Sequence, residues 1–270
     1  MKRHLIKSAF LLLALLTRLP ASSQELDFPF SDGEYGKYGA YYNWHFIWVH
    51  SGDIEFFTTR KEYKGQDCWH FKAEGNTFMP YDLLYKVRDT FEVYTLGKPS
   101  RPLYFRRVIN HGKKESHHQY VFDQEKGLAY STIKRHAQKL FRDTLDLGTN
   151  THDLLSAAYY FRGFNFRKYR TGQKIPYRLL VDNVIEDLYF RYLGTEIVET
   201  RNGRKFRCHK ISVRLMEGDF FHEGEYMKVW LTDDRNNVPV QVETEILVGS
   251  LKVVLLETKS LRYPPEAEIH

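Results

Sequence analysis

The chain has 270 residues, 16% of them Phe, Trp or Tyr, and a formal net charge of +6. Four cationic residues and no acids fall in its first 18 positions, so the remainder stands at +2. That near-balance, without any unrelieved run of Lys and Arg, argues against nucleic acid as a partner, and the length suits one large domain or two small ones with a sizeable core.

Residues 1–23 read as a secretory leader. Lys2, Arg3 and Lys7 precede the apolar run Ala9–Leu16, and Pro20 stands before the small residues Ala21, Ser22 and Ser23. The run is too short to cross a bilayer, and no later stretch approaches the roughly 20 apolar residues a membrane helix needs. No Cys stands at the cleavage site to take a lipid. The expectation is an exported, periplasmic chain whose residues 24–270 form a single mainly-β domain.

Strand signals then follow one another. Tyr38–His50 alternates aromatic residues, Ser51-Gly52-Asp53 is expected to turn the chain, and Ile54–Tyr63 to run back. Lys64-Gly65-Gln66 turns into Cys68–Glu74, and Phe78–Leu84 holds a turn or short helix. Tyr85–Thr95, Leu103–His111, Glu115–Asp123, Leu128–Ile133 and Leu140–Leu147 complete the first half. This is the turn spacing of sandwiches and barrels.

Asn150–Phe166 breaks the pattern and is the one clear helix after the leader. Thr151 or Asp153 can cap its first turn. Leu154, Leu155, Ala158 and Phe161 recur at helical spacing, with Leu154 expected in the core, and Gly163 suits a left-handed C-cap. Strands resume at Ile175–Val181 and Leu188–Val198, separated by a loop around Asn183. Asn202-Gly203 marks a hairpin into Phe206–Val213. Tyr226–Thr232, Val238–Leu247 and Leu251–Leu261 form a last meander, turning at Asp234–Asn237 and at Val248-Gly249-Ser250.

No catalytic, cofactor or metal motif stands out. Ser156 lacks a nucleophile elbow. His117 and His118 are adjacent and so face opposite ways in a strand, and with His111 and His136 they match no zinc spacing. Asp233, Asp234, Asn236 and Asn237 lack the glycine and terminal glutamate of a calcium loop and read as a turn. Cys68 and Cys208 each fall in an expected strand and read as buried free thiols rather than a pair.

Four ordered stretches, Tyr85–Tyr94 (YKVRDTFEVY), Val121–Lys126 (VFDQEK), Asp153–Arg162 (DLLSAAYYFR) and Val229–Glu243 (VWLTDDRNNVPVQVE), resemble the DUF3108 family of exported bacterial proteins. The resemblance spans roughly residues 32–262 and carries no activity with it. It implies a large curved antiparallel sheet or open barrel, like that of lipoprotein carriers, with one short helix packed against it. A two-part β-sandwich is the alternative fold.

The functional expectation is a non-enzymatic protein that binds a hydrophobic or amphipathic envelope component, a lipid or lipoprotein-like ligand. The alternatives are an assembly or scaffold protein, and a hydrolase of envelope polymers with two acids about 5–10 Å apart on one cleft. Tyr160, Arg162, Ala158, Arg88 and Trp230 are the candidate ligand-binding residues. Arg162 can instead pair with a carboxylate at the helix end. Arg88 or Asp89 can reach Arg162 or Asp153 as a buried ion pair, or both can be solvated at a strand end.

Overall fold

The computed structural model describes residues 26–44, 47–97, 101–112, 114–214, 226–245 and 249–269. The expected leader, residues 1–23, lies outside the described residues.

The first eight strands are β1 (Glu34–Trp44), β2 (Ile47–Tyr63), β3 (Gln66–Thr77), β4 (Val87–Leu96), β5 (Arg101–His111), β6 (Lys114–Asp123), β7 (Leu128–Arg135) and β8 (Phe141–Asp146). Helix α1 (Met79–Tyr85) follows β3. A two-residue strand β9 (Thr151–His152) leads into helix α2 (Leu154–Phe161) and a 3-10 turn, Phe166–Lys168. The second group is β10 (Lys174–Val181), β11 (Val184–Glu199), β12 (Lys205–Arg214), β13 (Tyr226–Thr232), β14 (Pro239–Glu245), β15 (Ser250–Lys259) and β16 (Glu268–Ile269). Alternation of inward and outward residues builds several of these elements. In β7, Ala129, Ser131 and Ile133 turn inward, whereas Tyr130 and Lys134 are exposed.

Among the described residues all sixteen strands belong to one sheet, ordered from β8 back to β1, then β15 back to β9, with β16 added to β12. Every pairing is antiparallel except β9 with β10. The expected open, curved sheet is therefore what forms, and the sandwich is not. Its middle joins the two ends of the chain, since Tyr35 of β1 lies opposite Lys259 of β15.

The rim strands β8 and β9 do not pair, although only residues 147–150 separate them. The tip of the β10–β11 hairpin bridges the opening instead. Both tip residues, Asp182 and Asn183, are left-handed (φ 49° and 71°), so the expected loop is a tight turn. Asp182 pairs with Arg107 of β5, and the Asn183 amide donates to the Tyr120 hydroxyl at 3.3 Å. The Asn183 side chain donates to Asp143 of β8 at 2.8 Å.

Two expectations fail for the same reason. Ser51-Gly52-Asp53 is not a turn but lies within β2, opposite the end of β3. A Cβ on Gly52 would sit 2.3 Å from the Asn76 carbonyl oxygen, so this glycine marks close backbone approach rather than reversal. Gly163 likewise has no left-handed backbone; a Cβ there would meet the Phe28 ring at 2.8 Å.

Candidate functional site: a cleft beside the buried helix

Asp153 starts α2. Its Oδ1 accepts from the amides of Leu155 and Ser156, both at 2.9 Å, while the Ser156 hydroxyl donates to Oδ2 at 2.7 Å. The Asp153 amide donates back to Ser156 Oγ, closing a capping box. The carboxyl is fully buried, and burial pushes its pKa up to about 6.

The helix lies in the concavity of the sheet and divides the core. Leu155 and Tyr159 pack with Phe30, Phe71, Val93 and Phe105. Tyr159 stacks on Phe71 at 3.8 Å and accepts a hydrogen bond from Thr58. Ala157 and Phe161 pack with Phe190, Ile211 and Leu231 on the other side. Leu154 is not in this core: it is 36% exposed, against 4% for Leu155. The apolar stripe expected from Leu154 and Ala158 looks into a cleft instead.

Buried polar contacts fix the helix C-terminus. Arg162 pairs with Glu34 of β1, and its Nε donates to the Asn236 carbonyl at 3.1 Å. The Asn237 side-chain amide donates to the carbonyls of Arg162 and Phe164, each at 2.8 Å. The Asp- and Asn-rich turn after β13 is thus a clamp on the helix end. Asp234 shapes it by accepting from Thr232 and from the Asn236 amide.

Between α2 and the sheet runs a cleft of about 1560 Å³. Phe56, Leu179, Val213, Val229, Leu231 and Val253 supply much of its apolar wall, facing Leu154, Ala157 and Ala158 of the helix. Its other end is polar. Arg107 and His118 are cross-strand neighbours on β5 and β6, and Arg135 ends β7. All three surround Asp182, with His118 at 3.3 Å and Arg135 at 3.9 Å from it. Burial, then the Arg107 charge, lowers the His118 pKa to about 4.

Helix α1 borders the cleft through Asp82 and Leu83, and Lys86 just after it does the same. It presents Met79 and Leu83 outward, 83% and 90% exposed. Each described carboxylate on the cleft wall has a cationic or imidazole partner: Glu34 has Arg162, Asp82 has Arg88, Glu115 has His117 and Asp182 has Arg107.

Of the five residues singled out from the sequence, Ala158 and Arg162 line the cleft. Tyr160 does not; its ring points away, against Phe28, His152 and Phe164. Arg88 bonds Asp82 and Thr77 rather than Arg162 or Asp153, and Asp89 pairs with His111. Trp230 is buried in a separate cluster with Tyr38 and Val240, its indole donating to Glu196. Strand alternation explains the last case, because its neighbours Val229 and Leu231 face the cleft.

Sequence reasoning missed Glu34, Arg107, Asp182 and Asn237. Only Asn237 carried a signal, as part of the Val229–Glu243 stretch; the others meet their partners through a sheet register, a hairpin tip and a strand-to-helix contact that no local pattern encodes. The two cysteines are separate buried thiols.

Fold and cleft together define an open, β-barrel-like protein with a helix filling its concave side. The chain is similar to the crystal structure of a β-barrel-like protein of the domain of unknown function DUF1849 from Brucella abortus. The TM-score is 0.55 at 10% identity, covering 86% of this chain and 98% of that one. Residues 37–256 match the family described as a protein of unknown function (DUF3108), and the chain belongs to that family. No curated protein sequence matches it.

Proposed function

We propose that this is an exported, periplasmic protein that binds a hydrophobic or amphipathic envelope component, holding its apolar part in the cleft between α2 and the sheet. The observation that carries the reading is the cleft itself. At about 1560 Å³ it exceeds the roughly 300–1,000 Å³ of ordinary small-molecule pockets. Its wall is mostly aliphatic and aromatic, and water gains little from filling such a space.

Each methylene buried there contributes about 0.8 kcal/mol. A chain of about a dozen such groups contributes about 10 kcal/mol, comparable with an association cost of about 4–15 kcal/mol. The outward Met79 and Leu83 beside the opening suit a helix that meets the ligand's membrane of origin. The leader read from residues 1–23 supports the compartment.

Fluorescent fatty-acyl probes test the reading. They are expected to bind the chain lacking residues 1–23 at micromolar concentration, and Ala158→Trp, which fills the cleft from the helix side, is expected to abolish binding while the fold persists. Absence of binding, or binding indifferent to Ala158→Trp, refutes it.

A further inference from the structure

We infer that the cleft selects amphiphiles with an acidic head, carboxylate or phosphate, and that Arg107 and Arg135, with Lys114 beside them, receive that head. The inference rests on the proposed acyl-binding role of the same cleft.

Three observations carry it. First, the cations at the polar end of the cleft, Lys86, Arg107, Lys114 and Arg135, outnumber its carboxylates, Asp82, Glu115 and Asp182, and Asp82 is taken up by Arg88. Arg107 and Arg135 share one carboxylate, Asp182, which is half exposed and so partly screened by water. Lys86 and Lys114 also line the cleft, and neither has a carboxylate within ion-pair distance among the described residues.

Second, Arg107 is only 8% exposed, and its Nε is shut off from water without an acceptor among the described residues. A guanidinium is a planar fork matched to two oxygens of a carboxylate or phosphate. Here Asp182 engages one arm of that fork at Nη2. Third, the cation cluster and the apolar wall belong to one continuous cleft, so an acyl chain lying along the wall brings its head to the arginines. His118 stays neutral in this setting, burial being the main cause. It therefore adds no charge, and its ring lies against Arg107 Nη2 at 3.4 Å and Asp182 at 3.3 Å.

The test compares dodecanoate, dodecyl phosphate and uncharged dodecanol by calorimetric titration of the chain lacking residues 1–23, all below their critical micelle concentrations. One or both acids are expected to bind at least tenfold tighter than dodecanol, with the margin shrinking as salt rises. The two acids report which head the site takes. Arg107→Gln with Arg135→Gln is expected to remove the margin, so that each acid binds no tighter than dodecanol does to the same variant.

Should loss of the buried Arg107 unfold the chain, Arg135→Gln with Lys114→Gln changes only positions at the surface and is expected to lower the margin at least threefold. Equal binding of all three probes overturns the head-group assignment and leaves the acyl cleft standing. An acid preference that survives in the folded variants also overturns it. No binding by any probe overturns both readings.

Discussion

Arg162→Met is the sharpest test of how the helix is held. The Arg162 and Glu34 side chains are 6% and 8% exposed, so each charge is compensated almost wholly by the other. The arginine also donates to the carbonyls of Asn236 and Pro29, and its guanidinium lies over Phe30 and Tyr159. Methionine retains much of the stem packing but leaves Glu34 charged and unpaired, its Oε2 already lacking a partner among the described residues.

Removing one member of a buried pair destabilises by about 3–5 kcal/mol, a large share of the roughly 5–15 kcal/mol that holds an ordinary domain. Replacing both members, as Glu34→Leu with Arg162→Met, leaves no charge behind. The double variant is expected to be more stable than the single variant, while staying about 1–3 kcal/mol below the parent for the carbonyls left without a donor. Urea unfolding followed by tryptophan fluorescence reads both values, provided the slope stays constant. A loss under about 1 kcal/mol for Arg162→Met, or a double variant less stable than the single one, refutes the account.

Leu155→Ala is expected to destabilise by about 2–5 kcal/mol and Leu154→Ala by less than about 1 kcal/mol, since only Leu155 is in the core; urea melts with the opposite order would show the helix rotated. Neither thiol is expected to react with a disulfide reagent until the chain is denatured, when both should, because burial raises Cys68 and pushes Cys208 up to about 12. Acidification is expected to destabilise the fold through His118 and His152, both lowered to about 4 chiefly by burial. The unfolded chain takes up those protons first, near pH 6.5, so their contribution is present above that pH and is lost towards pH 4. Asp153 acts in the opposite sense: raised to about 6, it is protonated first in the folded state, and its contribution weakens as pH rises from about 4 to 6. Asp153→Asn, which keeps a capping oxygen, should therefore show a steeper fall in stability between pH 6.5 and 4 than the parent chain; equal slopes in urea melts refute this.

Much of the fold was legible because period-two alternation is local. The strands around Lys64-Gly65 and Asn202-Gly203 fall where turn chemistry and alternation agree. Gly52 misled because glycine marks both reversal and close approach, and only the neighbouring strand distinguishes them. The helix was evident, but its rotation was not. Leu154 and Leu155 are equivalent in the sequence, and sheet walls on two sides decide which one is covered. The cleft's polar end was illegible, since Arg107, His118 and Asp182 meet through a register and a hairpin tip distant in the chain. Arg162 could be foreseen as one half of an ion pair, but Glu34, 128 positions earlier, could not be named as the other.

The pairing of β1 with β15 has a kinetic consequence. Tyr42 waits for Leu251 to be made before it has its partner on that side, an interval of roughly 200 residues. At about 5–20 residues per second that is on the order of 10–40 s of synthesis. Throughout it, an aromatic-rich strand keeps a free row of amides and carbonyls, open to any other nascent chain. Closing so long a loop also makes this seam the late, slow event in folding. A circular permutant that joins residue 269 back to residue 26, with new termini among residues 147–150, makes the seam local. It should fold faster and aggregate less while keeping the same sheet.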